Sequence, residues 1–170
     1  KASEERFRSL VQNSPNAITL IDEQGIIIEW NKSAESIFGI SRKEALGAVY
    51  CDLLPSMIIP ERQTPEMIGD VTAAIREALQ KGRSAYFITP IEAEIISPDG
   101  SRRYIRQTVF PIRTEKGYRI GSITLNITEQ RENERRIQTA HLDLQAAYEQ
   151  ISATEEELRE QYRILSQKQQ

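Results

Sequence analysis

Apolar positions recur with two different periods along the chain, and together they predict an α+β domain followed by a helical tail. Residues 2–13 carry apolar side chains at helical spacing, as expected of an amphipathic N-terminal helix. Five runs rich in β-branched and aromatic residues predict the strands of one antiparallel sheet. These runs cover residues 16–22, 25–31, 86–97, 102–113 and 118–127.

Residues that begin and end helices lie between the second and third of these strands. The pairs are Asn31 with Gly39, Ser41 with Glu44, and Pro65 with Gly82. Asparagine and serine accept hydrogen bonds from the free amides of a first turn, proline fits the first helical position, and glycine ends a helix. We therefore expect short helices here. Residues 48–64 contain Pro55 and Pro60 and are predicted to be irregular.

The tail has a seven-residue repeat, which predicts a left-handed coiled coil. Its apolar members are Ile137, Leu144, Ile151, Leu158 and Leu165. The second seam position holds Ala140, Ala147, Thr154 and Gln161 or, in the other phase, His141, Tyr148, Glu155 and Tyr162. Both choices give a weak seam. The alternative is a single solvated helix that packs back on its own domain. The predicted division is an amphipathic helix at 1–14, a domain at 15–128 and a linker helix at 129–170.

Composition fits one core and a polar appendage, since 39% of residues are hydrophobic and 28% are charged. The formal net charge is -3; residues 129–170 hold nine acidic and six basic side chains, which leaves sixteen of each in 1–128. This balance predicts no nucleic-acid partner and no direct membrane insertion. The single cysteine, Cys51, and the absence of a long apolar run predict a cytoplasmic protein. Because the chain begins with Lys1, we expect a piece of a longer polypeptide.

Two stretches resemble a known family. The first is RFRSLVQNSPNAITLIDEQGIIIEWNKSAESIFGISRKEALG, and the second is GSITLNITEQRENERR. Both are similar to PAS domains of the sensory-box type, whose last strand ends in an Asp-Ile-Thr triplet before a charged helix. Here the triplet is Asn126-Ile127-Thr128, so any ion pair of that aspartate does not carry over. In the tail, AAYEQISATEEELRE resembles linker helices of sensor histidine kinases.

No enzyme is predicted in these residues. The single histidine, His141, lies in AHLDLQ, which lacks the residues that follow a kinase phosphoacceptor histidine. No glycine-rich nucleotide loop, Ser-His-Asp set, CxxC or HExxH motif occurs. Any catalytic output is expected outside this chain, in a histidine kinase domain of a two-component system.

The resemblance implies a cofactor or ligand between the sheet and the small helices, but its identity stays unknown. Histidine-ligated haem is disfavoured because residues 1–128 contain no histidine. Light-oxygen-voltage domains resemble the chain around GISRKEALG, yet Tyr50 stands where their flavin-reactive cysteine is found. Their three flavin-binding amide positions fall on Ile95, Ile105 and Thr124. A cysteinyl-flavin adduct is therefore disfavoured. Non-covalent flavin remains an alternative, with candidate stacking partners Trp30, Tyr50 and Phe38.

Side chains of a strand alternate between faces, so the inward set of the last three strands can be enumerated. The candidate pocket residues are Phe38, Tyr50, Ile91, Ala93, Ile95, Ile105, Gln107, Ser122 and Thr124. This wall is apolar, with a few hydroxyl groups and one amide. It suits either a small, mostly neutral metabolite or a core that is simply filled.

The outer sheet face is also apolar and predicts a homodimer. We expect the interface to combine the N-terminal helix, this face and the coiled coil. Its candidate residues are Phe7, Leu10, Val11, Ile123, Leu125, Ile137, Leu144, Ile151, Leu158 and Leu165. The predicted function is a sensory module that passes a pocket or packing change to an output domain through Asn126, Ile127 and Thr128. The alternatives are a ligand-free interaction module and a flavin-binding redox or light sensor.

Overall fold

The computed structural model describes residues 2–84 and 90–168, and the chain forms two compact units, Lys1–Thr128 and Glu129–Gln170. The helices are α1 (Ala2–Gln12), α2 (Lys32–Phe38), α3 (Arg42–Ala45), α4 (Tyr50–Met57), α5 (Pro65–Lys81) and α6 (Thr128–Lys168), with a 3₁₀ turn at Pro60–Arg62. The strands are β1 (Ala17–Ile21), β2 (Ile27–Trp30), β3 (Ile91–Ile96), β4 (Arg102–Thr114) and β5 (Gly117–Asn126). The beginning of the predicted third strand, residues 86–89, lies outside the described residues.

One antiparallel sheet has the strand order β2-β1-β5-β4-β3. The last strand in sequence, β5, is therefore the central one, and it pairs with both β1 and β4. Thr124 marks its register, since it lies opposite Ala17 on one side and Gln107 on the other. The predicted α+β fold with a five-stranded sheet and a long C-terminal helix is confirmed.

The core of the first unit lies between the inner face of the sheet and the small helices. Trp30 is fully buried, its ring centroid lies 5.2 Å from that of Phe38, and its indole Nε1 donates to the Ile40 carbonyl at 3.0 Å. Burying an indole without such a partner would leave a polar group unsatisfied. The only tryptophan of the chain is thus a core residue.

Asn31 joins three parts of the fold through one buried amide. Its Oδ1 accepts from the backbone amides of Ile18 and Ala34, at 2.9 and 3.0 Å. Its Nδ2 donates to the carbonyls of Val11 and Asn16, at 2.8 and 2.9 Å. The side chain therefore caps α2, as predicted, and also ties β1 and the last turn of α1 to it.

Among the described residues of α1, only those of the last turn are attached to the rest of the domain. Val11 is buried, at 8% exposure, and Gln12 donates to Glu29 of β2 at 2.8 Å. Residues 3–10 are exposed. The helix is therefore anchored by its last turn.

The predicted helix ends are seen where the sequence placed them. Gly39 and Gly82 end α2 and α5 in the left-handed conformation, with φ of 69° and 65°. Ser41 and Glu44 form the capping box of α3, and Pro65 is the first residue of α5.

The prediction of an irregular segment at residues 48–64 is wrong, because α4 and the 3₁₀ turn occupy most of it. Pro55 lies inside α4 and removes one backbone donor. The helix forms nonetheless, since it buries Leu54 and Met57 against the core. Tertiary packing here outweighs the local cost of proline.

The described part of the second unit is one continuous helix. Every described residue from 129 to 168 is exposed, including the large apolar ones. Short-range contacts support it, such as the Glu160–Arg163 ion pair at 2.8 Å. No helix within the described ranges combines the length and the apolar character that a membrane span requires.

Candidate functional site

A cavity of about 320 Å³ lies in the first unit, between the inner face of the sheet and helices α4 and α5. Eight of the nine candidate pocket residues line it: Phe38, Tyr50, Ile91, Ala93, Ile95, Ile105, Gln107 and Ser122. Thr124 is fully buried on the same face but does not reach the cavity. The volume is at the small end of the range for ligand sites, which is roughly 300–1,000 Å³.

A chain of polar side chains crosses the cavity wall over three neighbouring strands. The hydroxyls of Thr19 and Ser122 share a hydrogen bond of 2.7 Å. Gln107 Nε2 donates to Ser122 Oγ at 3.3 Å and to Thr124 Oγ1 at 3.1 Å. These bonds satisfy polar groups that would otherwise be costly to bury. The hydroxyl and amide groups that the wall presents to a ligand therefore already have hydrogen-bond partners within the protein.

Tyr50 adds a phenol to this wall. Burial raises the pKa of Tyr50 to about 12, an electrostatic contribution from the neighbouring Cys51 acts in the same direction, and a hydrogen bond with Gln107 opposes both. The phenol is consequently neutral at physiological pH. It provides the cavity with a hydrogen-bonding group that carries no charge.

The helical side of the cavity was missed by the sequence interpretation. It consists of Leu54, Met57, Ile58, Arg62, Met67, Val71, Ala74 and Ile75. The first four lie in or beside the segment that was predicted to be irregular. The α5 residues could have been found, because positions 67, 71, 74 and 75 repeat at helical spacing and mark one face.

Only some of the candidate residues for flavin chemistry line the cavity. Tyr50 and Phe38 line the cavity, whereas Trp30 and the half-buried Cys51 do not. The positions of the family's flavin amides hold Ile95, Ile105 and Thr124, of which the two isoleucines line the cavity. Within the described residues, Gln107 is the only side-chain amide in the lining.

Hydrogen bonds extend beyond the end of β5 to the first residue of α6. The Ile127 amide donates to the Tyr104 carbonyl at 2.8 Å, and the Tyr104 amide donates to Thr128 Oγ1 at 2.9 Å. Thr128 in turn donates through its hydroxyl and its backbone amide to Asn126 Oδ1, at 2.6 and 3.0 Å. Ile127 is buried. The amide oxygen of Asn126 therefore fills the acceptor role available to an aspartate here, without the charge.

The candidate interface residues of the first unit differ in accessibility. Phe7 and Leu10 are 69% and 73% exposed, and Ile123 and Leu125 are half-buried on the outer sheet face. Val11 is buried within its own chain, so the folded domain does not present it to a partner.

The candidate interface residues of the second unit are all exposed in the single chain. They are Ile137, Leu144, Ile151, Leu158 and Leu165. Tyr148 and Tyr162, which belong to the alternative seam phase, are exposed as well. Both phases therefore remain available for pairing.

The family model for the PAS fold matches residues 5–127. The chain belongs to the PAS family. The matched region contains the cavity, the sheet and the small helices, and it ends at Ile127, one residue before α6 begins.

Solved structures with similar folds are numerous, at low sequence identity. The PAS domain of a Colwellia psychrerythraea protein is 22% identical, with a TM-score of 0.55 and coverage of 76% of this chain and 99% of that one. A sensory box histidine kinase/response regulator from Burkholderia thailandensis is 15% identical, with a TM-score of 0.52 and coverage of 82% and 98%. The PAS domain of Bordetella pertussis BvgS is 19% identical, with a TM-score of 0.52 and coverage of 84% and 99%. No curated protein sequence matches the chain.

Proposed function

We propose that this PAS domain is the sensory module of a larger sensor histidine kinase, in which a small ligand in the cavity changes the output through α6. The observation that carries the proposal is the position of β5. This strand contributes Ile120 and Ser122 to the cavity wall and leads directly into α6. A change at the wall therefore acts on the strand that continues into the helix.

The junction supports transmission because its backbone is held at each step. Ile127 and Thr128 both bond to Tyr104 of β4, and no glycine or proline separates β5 from α6. A flexible linker would absorb a displacement of β5, whereas a helix whose first residue is hydrogen-bonded to β4 follows that displacement. A ligand drives the response only if it binds one of two conformations more tightly than the other.

The proposal includes a homodimer formed through α1, the outer sheet face and α6. Its support is the exposed apolar surface of Phe7 and Leu10 and the heptad of exposed isoleucine and leucine residues in α6. A helix that buries none of its apolar positions gains stability when a second copy covers them. Residues of the same helix face in a second copy are the natural complement. The kinase assignment rests on the resemblance of the tail and on the fold shared with sensory box kinases.

A second candidate function is a ligand-free interaction module. Its support is the polar wall, where Thr19, Gln107, Ser122 and Thr124 satisfy one another without a ligand. In that case the cavity is a packing defect that tunes the flexibility of the domain, and partner binding alone changes α6.

Native mass spectrometry of the chain purified from its own host tests these proposals together. We expect a dimer that carries a small-molecule mass. Ala93→Leu, which fills the cavity wall, should remove that mass without dissociating the dimer, whereas Ala73→Leu on the exposed face of α5 should leave both unchanged. Ile151→Lys should produce monomers, and Ser152→Lys, one position away from the seam, should not.

The outcomes separate the candidates. A dimer without a bound mass overturns the ligand-sensor proposal and supports the interaction module. If the protein is yellow and carries a flavin mass, the ligand is a flavin and not a small metabolite. If the wild-type chain stays monomeric even at concentrations well above those used for mass spectrometry, the proposal that a homodimer transmits the signal is overturned.

A further inference from the structure

Three charged residues belong to the cavity lining, but Glu92 and Glu94 alternate along β3 with the inward Ile91, Ala93 and Ile95, so their carboxylates lie on the other face of the strand and pair there. Glu92 pairs with Arg106 at 2.7 Å, and Glu94 pairs with Arg102 at 3.5 Å. The third is Arg62, at the end of the 3₁₀ turn. Within the described residues its guanidinium has no ion pair. The lining therefore carries one uncompensated positive charge.

The charged group and the polar wall groups lie at different depths in the cavity. Arg62 is exposed, whereas Ile105 and Ser122 on the sheet are buried. The cation thus lies at the solvent end, and the hydroxyl and amide groups of the wall lie at the closed end. The walls between them are apolar and belong mainly to α4, α5 and β3. They include Leu54, Met57, Val71, Ile75, Ile91 and Ala93.

We infer that the cavity binds an amphiphilic monocarboxylate, with an apolar body inside and its carboxylate on Arg62. This inference rests on the proposed function, because it identifies the class of ligand for the same cavity. A guanidinium presents two parallel N–H groups that match the two oxygens of a carboxylate. The apolar lining supplies affinity for the body, and the charge pair fixes its orientation.

The charge balance favours a single negative charge over a phosphate ester. A phosphate carries up to two charges and is bound in proteins by several donors or cations. Arg62 is the only cation in the lining over the described residues, so the cavity offers one charged partner, which suits one carboxylate.

Isothermal titration of the whole chain with octanoate and with 1-octanol at neutral pH tests the inference. Both probes have the same apolar body, and only octanoate carries the charge. We expect octanoate to bind more tightly. In Arg62→Gln its affinity should fall about ten-fold, as expected for loss of a charge-assisted contact, while the affinity for 1-octanol should change less than two-fold. Raised salt should weaken octanoate binding alone, a readout that needs no variant.

Arg76→Gln is the matched control, because Arg76 is an exposed α5 arginine outside the cavity lining. It should leave both affinities unchanged. Equal binding of the two probes, or an octanoate affinity that survives both Arg62→Gln and high salt, overturns the carboxylate inference and leaves the cavity as a ligand site. Binding of neither probe by the wild-type chain overturns the inference. If the chain purified from its host also carries no small-molecule mass, the proposed sensory function fails with it.

Discussion

The backbone amide of Tyr104 donates to the side-chain hydroxyl of Thr128 at 2.9 Å, although the two residues are 24 positions apart in the chain. The next bond of the ladder joins the Ile127 amide to the Tyr104 carbonyl at 2.8 Å. Together they continue the pairing of β4 with β5 up to the residue where α6 begins. The threonine side chain thus replaces a backbone acceptor at the point where the strand geometry ends.

Replacing Thr128 by valine should lower the free energy of unfolding of the first unit by about 1 kcal/mol. Valine keeps the β-branched shape but removes the oxygen that accepts from Tyr104 and donates to Asn126, and the net loss of a hydrogen bond has this size. Urea denaturation followed by the fluorescence of Trp30, which lies in that unit's core, measures it. Thr128→Ser retains the hydroxyl and should stay within about 0.5 kcal/mol of the wild type. Equal losses in both variants would show that the bond contributes nothing.

Gly69 inside α5 and Gly82 at its C-terminal cap should respond in opposite directions to substitution by alanine. At Gly82, φ is +65° and an added Cβ would lie 2.3 Å from the Tyr118 ring, so Gly82→Ala should destabilise the domain by about 2–3 kcal/mol. At Gly69 no atom lies within 4 Å of an added Cβ, and the backbone is helical. Gly69→Ala should therefore stabilise it by about 0.5–1 kcal/mol. Thermal unfolding of the two variants beside the wild type decides the matter. A shift of both in the same direction refutes the prediction.

Asn31→Asp should be the most damaging of these substitutions, at about 3–5 kcal/mol. Aspartate has nearly the same shape, but it loses the two donors to Val11 and Asn16 and places a charge at a fully buried position. Asn13→Asp is the control, since Asn13 is exposed and bonds only within its own helix end. It should cost less than about 1 kcal/mol. Comparable denaturant midpoints for the two variants would contradict a structural role for the Asn31 amide.

Acid should weaken the fold partly through Glu23. The hydrogen bond from Thr114 at 2.7 Å, and then the neighbouring Arg119, lower the pKa of this carboxyl below its usual 4.5. A lowered pKa contributes stability that is present above pH 4.5 and is lost as the pH falls through the folded value. Glu23→Gln should therefore show a smaller loss of stability on acidification than the wild type. Denaturation midpoints across that pH range, with the exposed Glu66→Gln as control, provide the comparison, and an unchanged pH slope would exclude the contribution.

The sequence predicted those parts of the fold that depend on local chemistry. The caps at Asn31, Ser41, Gly39 and Gly82 were found because each type of residue satisfies one specific need of a helix end. Strand alternation also placed eight of nine candidate residues on the cavity wall. Helix capping and strand alternation depend only on residues close together in sequence, so they can be predicted without knowledge of the tertiary fold.

The missed half of the site depends on tertiary packing. Pro55 marks a break when read locally, yet α4 forms around it because Leu54 and Met57 become buried. No motif or periodicity in the sequence marks Arg62 as a cavity residue. Its position at the cavity follows from the 3₁₀ turn after α4. Thr124 was placed on the correct face, but only the structure shows that its hydroxyl is used by Gln107.

Because the described residues of α1 are attached to the domain only at the last turn, digestion from the amino terminus can report whether a second molecule covers this helix. An aminopeptidase can remove the exposed residues 3–8 without uncovering a buried side chain, but loss of Val11 would strip a partner from the Asn31 amide. Digestion of the lone chain should therefore slow near Val11. A halt ahead of Phe7 would instead reveal that a second molecule shields this helix.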